Sequence, residues 1–208
     1  MGLGLIVSSI VVLLWIFYPV IYEEAKYRFV DAATIPSVVS DISSRNNQSS
    51  VAGVSQGDVM YPADSDFGIV IPKIRANAKI VPDVDTQDSS QYQKALTQGV
   101  AHAKGTAYPG EIGNVFLFAH SGADLYEASR FNAVFYLLSK LDTGDTVYVF
   151  YQGKRYTYQV TSQERVDADN VNYMDSEKAS GKKTLTLMTC WPAGTTLKRL
   201  MIVARQVE

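Results

Sequence analysis

The chain has 208 residues, 47% of them hydrophobic and 19% charged, with a formal net charge of −2. That balance excludes a wholly disordered chain and argues against a nucleic-acid binder, which would show a basic stripe or a high pI. One cysteine, Cys190, and two histidines, His102 and His120, exclude an internal disulfide framework and a cysteine- or histidine-rich metal centre; neither a metal nor a cofactor is expected.

Residues 1–22 carry no charged side chain. At about 1.5 Å per residue, a helix of this length spans a hydrocarbon core of about 30 Å. Trp15, Tyr18 and Tyr22 gather toward one end, as aromatic side chains do at a membrane interface. The basic start, short apolar core and small-residue cleavage site of a signal peptide are missing, so the segment reads as an uncleaved anchor in the lipid bilayer. Lys26 and Arg28 follow the span and no Lys or Arg precedes it. A charge count alone therefore points against an exported body; the extracytoplasmic placement rests on the chemistry below. Residues 23–40 mix apolar and charged side chains and read as a short amphipathic helix. Residues 41–64 are rich in Ser, Asn, Gln and Gly, a composition that buries too little apolar surface to offset ordering entropy, and read as a flexible spacer.

From residue 65 to the end the texture is that of strands. Gly68-Ile69-Val70-Ile71-Pro72-Lys73-Ile74 is β-branched, and Pro72 removes a backbone donor, which predicts an edge or a bulge. Ala78-Lys79-Ile80-Val81 follows, then the compact run Asn114-Val115-Phe116-Leu117-Phe118-Ala119. Residues 131–138 have the apolar density of a short helix. Residues 145–151, a Gln152-Gly153 turn and residues 154–161 predict a hairpin. Residues 184–190 and 197–205 form the last two predicted strands. Many short strands with little helix predict a mainly β fold, a closed barrel or a sandwich.

Few residues remain for chemistry. Cys190 ends a predicted strand just before Trp191-Pro192. Free cysteine is commonly a buried apolar filler, but a strand end beside a loop is where a rigid scaffold displays reactive groups. An unpaired thiol on an exported protein also invites oxidation. His120 occupies the same kind of position after its own apolar strand, so adjacent strands would bring the two side chains to one rim. His102 lies in a loop-like stretch and reads as structural or as part of a substrate rim. Lys198 and Arg199 are consecutive, so in a strand they point to opposite faces; one is solvated, and the other can offer planar donors to an oxyanion or a carbonyl.

The order His120, Cys190, Arg199, each at or near a strand end, resembles the sortase family, cysteine transpeptidases of bacterial surfaces. The likeness covers roughly residues 67–207. Ile71-Pro72-Lys73-Ile74 looks like the family's first strand, and Gly99-Val100-Ala101-His102 with Gly105-Thr106-Ala107-Tyr108-Pro109-Gly110 is similar to the segment before its histidine. Phe118-Ala119-His120-Ser121 matches the histidine motif, Thr184-Leu185-Thr186-Leu187-Met188-Thr189-Cys190 the TLxTC motif, and Arg199 the arginine of the following strand. Three features depart from subgroups of the family. Ser121 stands where several have Arg or Thr, the Cys190–Arg199 connection is short, and no aromatic-Asp lid is evident beyond Asp66-Phe67.

The resemblance implies a closed eight-stranded barrel with Cys190 and His120 on its rim and Thr189 helping to shape the site. It implies partners too: secreted proteins bearing a C-terminal LPXTG-like sorting signal, and an amine acceptor from peptidoglycan or a pilin. Cys190 would attack the threonine carbonyl, His120 would act as acid toward the departing amine, and Arg199 would steady the oxyanion. The anchor would then hold an extracytoplasmic enzyme, single-pass in the cell membrane, where secreted substrates emerge. L,D-transpeptidases carry a compact Ser-His-Gly-Cys-type signature that is missing around Cys190, and papain-like hydrolases place Cys before His. The alternative from another class is a non-catalytic, membrane-anchored extracellular β-domain that binds surface partners.

Overall fold

The computed structural model describes residues 8, 36–38, 59–121, 134–169, 181–193 and 195–207. The anchor over residues 1–22, the amphipathic helix over 23–40 and the first part, residues 41–58, of the spacer over 41–64 lie outside them, apart from Ser8 and residues 36–38. Ser37–Val38 pairs in parallel with Val59–Met60. Tyr61 to Asp64, within the stretch read as spacer, are tied to the domain: Asn77 donates from Nδ2 to the Tyr61 carbonyl at 2.6 Å and accepts from the Ala63 N–H at 2.8 Å. Gly68 is required there, because a Cβ at that position would stand 2.1 Å from the Asp64 carbonyl oxygen.

Eight strands close a barrel: β1 (Phe67–Ile71), β2 (Ala76–Val84), β3 (Val100–Ala103), β4 (Gly113–Phe118), β5 (Thr146–Tyr151), β6 (Lys154–Asp167), β7 (Lys183–Trp191) and β8 (Lys198–Gln206). The order around the barrel is β8-β6-β5-β1-β2-β3-β4-β7, with β7 and β8 paired to complete the circuit. Only β2–β3 and β4–β7 run parallel; the other neighbours are antiparallel. The expected closed eight-stranded barrel is therefore present.

The hairpin forms where the sequence predicts it: Gln152 and Gly153 both have positive φ, 51° and 74°, the two-residue turn whose twist matches its flanking strands. Pro72 opens a 310 turn, Pro72–Ile74, directly after β1; its missing N–H falls where no ladder bond is needed, so it ends the strand and makes neither an edge nor a bulge. Where residues 131–138 predict a short helix, the described part is a 310 turn, Tyr136–Lys140. Its N–H bonds run from Leu138 to Phe135 and from Leu141 to Leu138.

Each strand has two faces, and both are used. The inner face packs Ile69, Val115, Leu117, Leu185, Leu187 and Ile202 into the barrel core, all of them buried. A buried side chain of this size contributes about 1.5–3 kcal/mol. The alternate residues of β3, β4, β7 and β8 point outward. Ala101, Ala103, Phe116, Phe118, Met188 and Met201 meet there in a second cluster. Helix α1 (Ser89–Leu96) covers that cluster with Tyr92, Ala95 and Leu96, side chains at the i, i+3, i+4 spacing of one helix face. Asp88 caps the helix, accepting the N–H groups of Ser90 and Gln91 at 3.0 and 3.1 Å.

Candidate active site

The parallel β4–β7 pair sets the level of the site. Its register runs from Gly113 opposite Lys183 to Phe118 opposite Met188. Asn114 fixes it by accepting at Oδ1 from the hydroxyls of Thr184 and Thr186, at 3.3 and 3.0 Å, all three residues being buried. The pairing continues past the end of β4. Ala119 donates its N–H to the Met188 carbonyl at 3.2 Å, and the Thr189 hydroxyl donates to the Ala119 carbonyl at 2.9 Å. His120 and Cys190 each lie two residues beyond the last matched pair, Phe118 and Met188. Thr189 therefore braces the residue that precedes the histidine.

Arg199 enters from the other side. In the antiparallel β7–β8 ladder it is the direct partner of Cys190, just as Met201 partners Met188. Directly opposed residues of such a pair share one face. Met188 and Met201 belong to the outer cluster, so Cys190 and Arg199 lie on the outer face as well. The surface that Cys190 and Arg199 share is the outside of the barrel at one end, beside α1. A one-residue slip in either ladder would turn Cys190 inward.

Cys190, His120 and Arg199 are all half-buried, between the sealed core and open solvent. The Arg199 guanidinium donates from Nη1 to the carbonyls of Thr196 and Lys198, at 3.3 and 3.2 Å, which holds it against the start of its own strand. Lys198, the first residue of β8, lies on the opposite face from Arg199 and is exposed at the strand end.

Tyr92 is a member of this surface that the sequence reading missed. Its ring stacks on Phe118 at 5.2 Å and 13° and stands perpendicular to the His120 ring at 6.5 Å and 88°. Burial pushes its hydroxyl above the ordinary value, the neighbouring Cys190 adds to the rise, and Arg199 opposes it. The signal for its helix was present as Asp88-Ser89-Ser90-Gln91, an N-cap residue followed three positions later by Gln.

His102 is placed elsewhere. It is on strand β3, not in a loop, and it points into the barrel, fully buried. Its Nε2 lies 3.1 Å from the Ala107 carbonyl and 2.9 Å from the Thr106 hydroxyl. The carbonyl can only accept, so Nε2 carries the proton. Its ring packs against Phe67 and Tyr108 at 5.6 and 4.6 Å. Of the two roles weighed for it, the structural one fits this setting.

An end-of-strand thiol beside an imidazole, with a guanidinium across the ladder, is an arrangement suited to acyl transfer through sulfur. In such an arrangement a thiolate can serve as nucleophile, an imidazole can move a proton, and a fork of N–H groups can stabilise an oxyanion. The Sortase domain family matches residues 69–207, which is nearly the whole described barrel. The chain belongs to the sortase family, a family of cysteine transpeptidases.

Particular relatives agree with that placement. Sortase D of Bacillus subtilis (strain 168) is 29% identical over 140 residues, covering 66% of this chain and 61% of its own length. Sortase A from Corynebacterium diphtheriae superimposes with a TM-score of 0.57 at 26% identity, covering 70% of this chain and 61% of that one. Sortase C1 from Streptococcus agalactiae does so with a TM-score of 0.56 at 28% identity, covering 68% and 67%. The chain thus spans less than two thirds of the length of Sortase D.

Proposed function

We propose that this protein is a membrane-anchored transpeptidase that cleaves an LPXTG-like sorting signal and transfers the acyl part to an amine. The thiolate of Cys190 attacks the threonine carbonyl carbon, and a tetrahedral oxyanion forms. Arg199 steadies that charge or orients the peptide. The carbon–nitrogen bond to the following glycine breaks as His120 gives its proton to the departing amine, leaving a thioester on Cys190. An amine from a peptidoglycan cross-bridge or a pilin lysine then attacks the thioester. It yields a proton to His120, forms the new amide and releases the thiolate; water is the slow alternative. No metal or cofactor takes part in this scheme. Residues 1–22 would hold the barrel in the cell membrane with its site on the extracytoplasmic side, where secreted substrates emerge.

One observation carries this reading: Cys190 and Arg199 are direct register partners on the outer face of the barrel, level with His120. The test is to incubate the protein with a library of sorting-signal peptides and a triglycine amine, and to follow products by mass spectrometry. A thioester adduct on Cys190 and a peptide–triglycine product are expected. Cys190→Ala should give neither while its melting temperature stays near that of the parent. Product formation by Cys190→Ala would overturn the assignment.

A further inference from the structure

Helix α1 puts one aromatic ring among the groups that meet on the outer face. Tyr92 lies flat on Phe118, at 5.2 Å and 13°, and perpendicular to the His120 ring at 6.5 Å. Phe118 is buried two residues before His120, so the tyrosine is seated on the strand that carries the imidazole. The helix is anchored independently by Ala95 and Leu96, both buried. The phenol also senses both Cys190 and Arg199. Four groups from four elements therefore lie at one end of the outer face: Tyr92 from α1, His120 from the end of β4, Cys190 from β7 and Arg199 from β8.

We propose that Tyr92 is a positioning residue for the transfer reaction: its ring fixes the imidazole of His120 in the orientation from which it exchanges a proton with Cys190 and the departing amine. This rests on the roles proposed above for His120 and Cys190. Paired aromatic rings prefer stacked or perpendicular arrangements at these separations. The ring supplies a wall on one side of the imidazole, and Phe118 fixes the height of that wall. Correct orientation of a proton-transfer group matters to rate more than to binding.

The test uses iodoacetamide, which reads the Cys190–His120 pair without any peptide, together with the transfer assay. Removing the ring in Tyr92→Met should displace the pH profile of Cys190 alkylation and lower kcat about tenfold, with KM within about twofold. Tyr92→Phe, which keeps the ring, should restore the parental profile. Phe118→Leu, which removes the plate beneath the ring, should move the profile the same way by less, and it decides the matter if Tyr92→Met does not fold. A folded Tyr92→Met with the parental alkylation profile and kcat overturns the inference. So does a Tyr92→Phe as impaired as Tyr92→Met, because the hydroxyl would then carry the role. If Tyr92→Met shifts the profile but the parent transfers no sorting peptide, the positioning stands and the proposed function fails.

Discussion

Two histidines, one on β3 and one just past the end of the neighbouring β4, face opposite ways. His102 on β3 points into the barrel, with no exposed surface, its Nε2 held by the Ala107 carbonyl and its ring packed among aromatics. His120, just beyond β4, is half-buried on the outer face near a thiol, a guanidinium and a phenol. The residue type is the same, and the surroundings divide the work. On the inner face the Ala107 carbonyl fixes the proton on Nε2; on the outer face the imidazole stands against the ring of Tyr92. The barrel interior is filled by Leu, Ile and Val, and the half-buried Cys190, His120 and Arg199 lie instead at the outer face beside α1.

The largest effect expected from this contrast is on activity. His120→Ala should lower transfer of a sorting-signal peptide to an amine by about 10²–10⁴-fold, the range for a positioned acid–base group. His102→Gln should leave the rate within about threefold of the parent. The reverse outcome, measured as kcat/KM on one peptide, would exchange the roles of the two faces. A smaller effect is expected at Arg199. Arg199→Lys keeps the charge but loses the planar fork, and should cost about 100-fold in kcat, as removal of one oxyanion donor does. If KM rises instead while kcat holds, the guanidinium orients the peptide and does not steady the oxyanion.

The outer-face site was legible from the sequence wherever strand alternation could be counted. Cys190 and Arg199 each lie at a strand end and separate cleanly from Thr189 and Lys198, so a shared rim for cysteine and arginine follows once β7 and β8 pair. The strands themselves show as β-branched and aromatic runs bounded by turn residues, and Gln152-Gly153 marks the hairpin by its need for positive φ. Two elements around the site escaped. Strand β3 is four residues long and reads Val-Ala-His-Ala, too short and too rich in alanine for a periodicity, and this turned His102 into a loop residue. Helix α1 buries only a narrow stripe, and its capping residues sit in a polar stretch that resembles a loop in composition. Tyr92 was lost with that helix, since nothing in the spacing of a tyrosine reveals which ring it will meet.

The smallest expected effect isolates the inner face by pH. Burial holds the His102 pKa below the ordinary imidazole value, while the Ala107 carbonyl and the charges of Asp83 and Glu111 oppose that shift. Between the folded value and the unfolded value of about 6.5, the unfolded chain binds a proton that the folded chain refuses, so stability rises with pH across that interval. The contribution of His102 is complete above about pH 6.5 and is lost as the pH falls through that value toward the folded one. A single proton gives a slope of at most about 1.4 kcal/mol per pH unit. Urea unfolding at pH 7.5 and pH 5.5 should show the parent weaker at the lower pH. His102→Gln can donate an amide N–H toward the Ala107 carbonyl without titrating, and should lose less stability over the same interval. Equal losses in the two proteins would mean that the folded barrel accepts the His102 proton as readily as the unfolded chain does, and the contrast between the two faces would then rest on activity alone.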